Sequence, residues 1–299
     1  MNVVHCQGLT KRYGSTHAID QLTLELNAGE PIALIGPNGA GKTTLISLIC
    51  GFIRPSEGQV SILGHEPGAA ALSGQLAALP QDALLDPRLN VGRQLRFFAR
   101  LQGLSKREAS AEVDRVLDTV DLKDSASSRP TDLSHGMRKR IAIAQSLIGS
   151  PRLVLLDEPT AGIDPPNARM IRDLVREQSA NTTFIVSSHN LDELERLCGS
   201  VVYLENGRLV SFDAVNDDES HDILTLRTAN MAADEFIPLC RQIPHVKDVS
   251  QTMQGDYLIE TDNDMLASIA VLQLLAENGW RYRHLARGKS LEERLYGNG

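Results

Sequence analysis

One glycine-rich segment constrains the fold of this chain more than any other part of it. The segment reads Gly36-Pro37-Asn38-Gly39-Ala40-Gly41-Lys42-Thr43. Glycines let the backbone curl so that its N–H groups converge on phosphate oxygens. Lys42 supplies a charge for the β and γ phosphates, and the Thr43 hydroxyl is a ligand for Mg²⁺. An apolar run at residues 32–35 predicts a buried strand before the loop, and residues 43–51 predict a helix whose positive end faces the same anion.

A pair of acids follows a second apolar run. Residues 153–156 predict a buried strand of a parallel sheet, and Asp157 and Glu158 come directly after it. Such a strand delivers carboxylates to the mouth of the sheet, where phosphate sites lie. Asp157 is expected to hold Mg²⁺, directly or through water, and Glu158 to polarise an attacking water as general base. Two acids in a solvated loop are the alternative, and the phosphate loop favours the functional interpretation.

Composition limits the classes of partner. The 299 residues are 42% hydrophobic and carry a formal net charge of −8, which argues against non-specific binding to nucleic acid or to an anionic lipid surface. The four cysteines are far apart in sequence, so they are expected to be buried apolar side chains in a reducing compartment. No signal peptide and no apolar stretch of the roughly 18 residues that a span requires is found, so any membrane role is expected to come through a partner.

Two parts with different patterns follow one another. Residues 1–215 are expected to form an α/β nucleotide-binding domain with a helical lobe at about residues 85–150 inserted between strands of the sheet. The polar residues 215–220 predict a linker. Residues 216–299 then predict a small α+β domain of the ferredoxin-like order β-α-β-β-α-β, with strands at 223–227, 246–253, 257–261 and 281–285 and helices at 232–242 and 264–277. The alternative is an irregular extension packed on the core.

At this point the chain resembles the ATP-binding cassette family, the nucleotide-binding subunits of ABC transporters. The resemblance covers about residues 1–215 and implies the P-loop fold of that family, a RecA-like core plus a helical lobe. It also implies ATP and Mg²⁺ as ligands. The residues implied to hold the ATP phosphates are Gly36, Pro37, Asn38, Gly39, Ala40, Gly41, Lys42, Thr43 and Thr44.

Further motifs extend the resemblance. Gln81, in Leu79-Pro80-Gln81-Asp82, resembles the glutamine loop, which in the family contacts Mg²⁺ and the water and senses the membrane subunit. His189 matches the switch histidine that holds the γ phosphate, residues 161–164 resemble the loop that links the two sites of a dimer, and Tyr13 stands where the family places an aromatic ring against adenine. Each has a simpler alternative: a polar loop residue for Gln81, a hydrogen-bonded strand end for His189, and ordinary packing for Tyr13.

Residues 133–137 resemble the family's signature motif but depart from its common Leu-Ser-Gly-Gly-Gln. His135 replaces the first glycine and Met137 the glutamine, whereas Ser134 and Gly136 remain. The Ser134 hydroxyl and the N–H groups of a helix start can bind a γ phosphate held by a partner subunit. Methionine here is frequent in the ABC-2 type exporter branch. The basic run at residues 138–140 is expected on a solvated helix face.

The resemblance implies a subunit that pairs head to tail, as a homodimer or with a second cassette, and drives transport through an integral membrane permease at the cytoplasmic face of the membrane. The pattern Ser290-Leu291-Glu292-Glu293 and the small C-terminal domain favour the ABC-2 type exporter class. An importer subunit, a soluble ABC ATPase acting on ribosomes or DNA, and a regulatory cassette without activity are alternatives. Residues 86–91 with Phe97 and Phe98 are the expected permease contact, and the two phenylalanines are equally compatible with the core of the lobe.

Overall fold

The structure is a computed structural model, which describes residues 1–214, 222–228, 231–252 and 255–288. The chain divides into two compact units, Met1–Ala214 and Val215–Gly299. The predicted linker at residues 215–220 and the Ser290–Glu293 pattern lie outside the described residues. Among the described helices, none is long and apolar enough to cross a membrane.

The first unit combines strands and helices. Its strands are β1 (Asn2–Tyr13), β2 (Thr16–Asn27), β3 (Ile32–Ile35), β4 (Glu57–Ile62), β5 (Leu76–Leu79), β6 (Leu153–Asp157), β7 (Thr183–Ser187), β8 (Ser200–Glu205) and β9 (Arg208–Ala214). Its helices are α1 (Lys42–Ile49), α2 (Val91–Leu101), α3 (Lys106–Thr119), α4 (His135–Ser146), α5 (Pro165–Gln178) and α6 (Leu191–Leu197).

A six-stranded sheet of order β5-β6-β7-β3-β8-β9 forms the centre of this unit. All neighbours are parallel except β8 and β9, and every residue of β3, β6 and β7 is buried. These strands are short apolar runs because both faces of a parallel sheet are covered. Since parallel strands end at one edge, the residues that follow β3, β6 and β7 meet there. A second, antiparallel sheet has the order β2-β1-β4.

The predicted helical block is confirmed as α2, α3 and α4, which lie in sequence between β5 and β6. Each helix begins at a polar cap, because the first backbone N–H groups of a helix lack partners within it. Asn90 caps α2, and Ser105 forms a capping box with Glu108 at the start of α3. Ser134 caps α4 by accepting a hydrogen bond from the Met137 amide.

The second unit has its own sheet and core. It contains β10 (Ile223–Thr228), α7 (Ala233–Cys240), β11 (Val246–Gln251), β12 (Tyr257–Thr261), α8 (Asp264–Glu277) and β13 (Tyr282–Arg287). The strands pair antiparallel in the order β11-β12-β10-β13, which is the ferredoxin-like order. The rings of Phe236, Tyr257 and Trp280 pack edge to face within a separate apolar cluster. The predicted order of elements is confirmed, and the alternative of an irregular extension is wrong.

Candidate active site

The phosphate-binding loop joins β3 to α1 in a conformation that requires glycine at defined positions. Gly36 has φ +149°, and a Cβ atom there would lie 2.1 Å from the carbonyl oxygen of Leu204 on β8. Gly41 has φ +105°, and its Cβ would lie 2.4 Å from the carbonyl oxygen of Ala18. Both contacts are far inside the sum of van der Waals radii, so the loop can pack on its neighbours only with glycine there.

Lys42 lies over the loop that it follows. Its Nζ atom donates hydrogen bonds to the carbonyl oxygens of Gly36, at 2.6 Å, and of Pro37, at 3.2 Å. Thr43, the next residue, donates from Oγ1 to Oδ2 of Asp157 at 3.3 Å, which links the loop to the end of β6. Thr44 follows in the first turn of α1. The Lys42 ammonium thus lies against the backbone of the glycine-rich loop, next to the start of a helix, where the positive end of the helix favours an anion.

Two buried carboxylates end β6. Asp157 and Glu158 are 6% and 9% exposed. Ser187, at the end of the neighbouring β7, donates from Oγ to Oδ1 of Asp157 at 2.5 Å. The amide of Glu158 in turn donates to the Oγ and to the carbonyl oxygen of Ser187, at 3.0 and 3.1 Å. Glu158 has φ 49°, a left-handed conformation that is unusual outside glycine and that these bonds support.

His189 completes the cluster from the loop between β7 and α6. Its Nδ1 atom lies 2.9 Å from Oε2 of Glu158. The next residue, Asn190, caps α6 by accepting a hydrogen bond from the Glu193 amide, so a helix start fixes the loop. The edge of the sheet therefore brings together the predicted Lys42, Thr43, Asp157, Glu158 and His189.

A cavity of about 400 Å³ borders His189 on the side of residues 160–163. Its wall includes an ion pair in which Arg172 Nη1 donates to Oε1 of Glu193 at 2.9 Å. The other oxygen of Glu193 accepts from the Thr160 hydroxyl at 2.8 Å. The residue that directly precedes segment 161–164, which the sequence assigns to the link between two sites, is thereby bonded to the helix that follows His189.

The hydrogen-bonded cluster of the described residues around Glu158 does not include the other predicted site residues. Ser134 and Gly136 lie at the start of α4, where a Cβ on Gly136 would meet Cγ of Asn167 at 2.4 Å. Gln81 follows β5, and its carbonyl oxygen accepts from Lys139 at 3.2 Å. Tyr13 ends β1 with an exposed ring, 5.2 Å from the Lys11 ammonium.

The expectation that residues 138–140 form a solvated helix face is wrong. Arg140 is buried and donates from Nη1 to the carbonyl oxygen of Val120 at 2.9 Å. Arg138 and Lys139 are half-buried. The reason is that α4 packs against α2, α3, α5 and β5, so much of its circumference is covered. For the expected permease contact, Phe97 is exposed and Phe98 half-buried, which separates two residues that the sequence could not distinguish.

Sequence reasoning missed Ser187 and Lys139. The signal for Ser187 was a hydroxyl at the end of a fully buried strand, directly before Ser188 and His189. The signal for Lys139 was its place on the helix that Ser134 begins, although nothing in the sequence indicates its contact with Gln81.

Oxygen ligands for a small divalent cation are present where the loop meets β6. The hydroxyl of Thr43 and the carboxylate of Asp157 are hard donors within hydrogen-bond distance of one another, at the position where phosphate oxygens would complete the coordination. These residues fit Mg²⁺, which prefers one or two protein oxygens together with substrate phosphates.

Known proteins are similar over most of the chain. Residues 19–161 match the family model of the ABC transporter. The Nod factor export ATP-binding protein I of Cupriavidus metallidurans is 30% identical over 97% of this chain and 95% of that protein. The linearmycin resistance ATP-binding protein LnrL of Bacillus subtilis is 30% identical, over 83% and 82% of the two chains. A solved ATP-binding subunit of an ABC transporter superposes with a TM-score of 0.65 at 31% identity, over 72% of this chain and 91% of that one.

The match to the Nod factor export protein over 97% of this chain and the arrangement of the site residues lead to the same family. The phosphate loop, the paired carboxylates and the histidine lie at one sheet edge, in a fold shared with solved cassettes. The chain therefore belongs to the ABC transporter family, as an ATP-hydrolysing nucleotide-binding subunit.

Proposed function

We propose that this chain powers export through a separate integral membrane permease of the ABC-2 type, at the cytoplasmic face of the membrane. Relatives named for Nod factor export and for linearmycin resistance support export over import. The match to the former spans 97% of this chain, so it extends into the second unit as well as the cassette. The observation that carries hydrolysis is the position of Glu158, held by Ser187 and His189 at the mouth of the phosphate loop.

The loop residues 36–44 would bind the ATP phosphates through backbone N–H groups and the Lys42 ammonium. The Tyr13 ring would stack on the adenine, since it is exposed at the end of β1. Thr43, Asp157 and Gln81 would hold Mg²⁺, which when bound neutralises charge on the β and γ phosphates. Glu158 would orient the attacking water and accept its proton, and His189 would hold the γ phosphate while fixing the Glu158 carboxylate.

A second cassette would complete the site. Ser134 caps α4 and Gly136 lies in its first turn, so a hydroxyl and the N–H groups of a helix start would close over the γ phosphate bound by the partner in a head-to-tail dimer. Loss of the γ phosphate would remove those contacts and let the dimer open. A cassette that binds ATP only as a regulator is disfavoured, because Glu158 and His189 are both present and in contact.

The permease would dock on the helical lobe. Leu84, Phe97 and Leu101 are apolar side chains on or next to α2 that remain 93%, 58% and 66% exposed. Large exposed apolar side chains gathered in one region mark an interaction site more often than a chance feature. Residues 86–90 of the contact predicted from the sequence lie between Leu84 and α2 along the chain. Val91, the last residue of the predicted contact, begins α2 and is buried, so it is not available to a partner.

Purification from native membranes tests this function. The Glu158→Gln chain is solubilised in detergent with ATP, and the proteins that accompany it are identified. A stoichiometric integral membrane protein supports the transporter, and the number of its spans tests the ABC-2 type. Ribosomes, DNA or a soluble dimer without a membrane protein would instead support a soluble ABC ATPase, and a periplasmic or lipoprotein substrate-binding subunit would support an importer.

A further inference from the structure

A lysine of the helical lobe reaches the loop that carries Gln81. Lys139 lies on α4, the helix that Ser134 caps, and its Nζ atom donates a hydrogen bond to the carbonyl oxygen of Gln81 at 3.2 Å. The side chain is half-buried where α4 packs against β5. A long flexible lysine loses rotamer freedom when it is held in this way, so attraction at its charged end must offset the loss of side-chain entropy.

Carboxylates of the catalytic edge lie on the neighbouring strand, because Leu79, two residues before Gln81, pairs with Leu156, which directly precedes Asp157. Burial lowers the pKa of Lys139, and the negative charges of Asp82, Asp157 and Glu158 act against this decrease. Asp157 and Glu158 are themselves almost fully buried, and a buried carboxylate is costly unless hydrogen bonds or opposite charges accompany it. Ser187 and Thr43 donate hydrogen bonds to Asp157, but neither hydroxyl carries a charge.

We propose that Lys139 is a positioning residue, which holds the Gln81 loop against Asp157 and Glu158 and supplies part of their counter-charge while no metal–nucleotide complex is bound. The inference rests on the proposed function, in which Asp157 and Gln81 hold Mg²⁺ and Glu158 is the base. Since Lys139 and the incoming cation are attracted by the same carboxylates, the lysine opposes metal binding in part. Helix α4 begins at Ser134 and would face the partner's nucleotide. Lys139 lies on the same helix and contacts the Gln81 loop, so it also connects α4 to this chain's own site.

The ratio of two nucleotide affinities tests this role without turnover. A non-hydrolysable β,γ-imido ATP analogue is titrated into the full chain in EDTA and in excess Mg²⁺. The Lys139→Met variant keeps the length of the side chain and removes its charge, so the preference for the magnesium complex should rise about tenfold, as expected for loss of a partly screened charge near the cation. Lys139→Arg should keep the wild-type ratio, and so should Lys106→Met, which neutralises an exposed lysine of the same lobe.

An unchanged ratio in Lys139→Met, or an equal rise in Lys106→Met, would overturn the proposal. If Lys139→Met does not fold, Lys139→Gln carries the test with the same expected rise. A wild-type chain that hydrolyses ATP but shows no change of ratio on substitution would remove only the role of Lys139. A wild-type chain that binds the analogue in neither condition would remove the proposed function, and this inference with it.

Discussion

The Nδ1 atom of His189 lies 2.9 Å from Oε2 of Glu158, although the two side chains differ sharply in exposure. The histidine side chain is 75% exposed and that of the glutamate 11%. The imidazole therefore contacts the buried carboxylate at one nitrogen and leaves most of its ring accessible to a ligand. With Glu158 as the proposed base, this geometry would let His189 contact both the base and the phosphate on which the base acts.

Replacement of His189 by alanine should reduce turnover and leave the fold intact. We expect kcat to fall by about 10²-fold, because a positioned group that orients the base and the phosphate is lost. The free energy of unfolding should change by about 0.5 kcal/mol or less, as for other exposed side chains. His5→Ala, which removes a half-buried histidine beside Glu25, is the control and should change neither quantity. A wild-type kcat in His189→Ala would contradict the assignment.

Ser187 supports two site residues at once, so Ser187→Ala should affect both stability and catalysis. Loss of its hydroxyl leaves Asp157 without one hydrogen bond and should cost about 1–3 kcal/mol of unfolding free energy. The kcat should also fall among the molecules that remain folded, because the Glu158 amide loses one of its two hydrogen-bond acceptors.

Ser146→Ala provides the matched control for Ser187. Ser146 is also buried, and its hydroxyl donates to the carbonyl oxygen of Ile143 within α4. Denaturant unfolding and steady-state ATPase activity should show a stability loss in both variants and a kcat loss in Ser187→Ala alone. Equal kcat in the two variants would exclude a role for Ser187 in the site.

Alanine at Gly36 should abolish ATP binding, whereas alanine at Gly39, in the same phosphate loop, should leave ATP binding intact. A Cβ at Gly36 would collide with the Leu204 carbonyl oxygen, so Gly36→Ala should distort the loop and abolish ATP binding. Gly39 has φ +83° and no atom within 4 Å of an added Cβ, so Gly39→Ala should cost only about 1 kcal/mol of stability. Calorimetric titration with ATP distinguishes the variants, and normal binding by Gly36→Ala would show that the loop is less constrained than this geometry implies.

A chain that ends at Ala214 should fold alone. The apolar cluster of the first unit includes residues of β1, β2, β3 and α1, whereas that of the second unit lies wholly within residues 224–285. Each unit therefore has a core of its own. We expect residues 1–214 to be monomeric without ATP, to unfold cooperatively and to bind ATP like the full chain. An insoluble product would show that the two units share a core.

The sequence predicted those features of this fold that arise from local patterns. The loop at residues 36–43, the acids after β6 and the order of elements in the second unit depend on short stretches, so they could be found without knowledge of pairing. The partnership of Ser187 with Asp157 depends on the register of β6 against β7 across distant segments, and no local pattern reveals it. Lys139 was assigned to solvent for the same reason, since the packing of α4 on β5 is a tertiary fact. Strands β4, β5, β8 and β9 were not assigned. The runs of β4 and β9 mix polar and apolar residues, whereas β5 and β8 are short, largely apolar runs whose partners β6 and β3 are distant in sequence.

The Glu158→Gln chain provides the most direct test of the central claim, that Glu158 is the base of an ATPase that works as a closed dimer. The substitution keeps the side-chain shape and removes the proton acceptor. Sedimentation and steady-state hydrolysis are measured with and without Mg²⁺–ATP. The account predicts an ATP-dependent dimer and a kcat lower by at least about 10²-fold, with ATP binding retained. Hydrolysis at the wild-type rate, or a monomer that ATP does not dimerise, would contradict it.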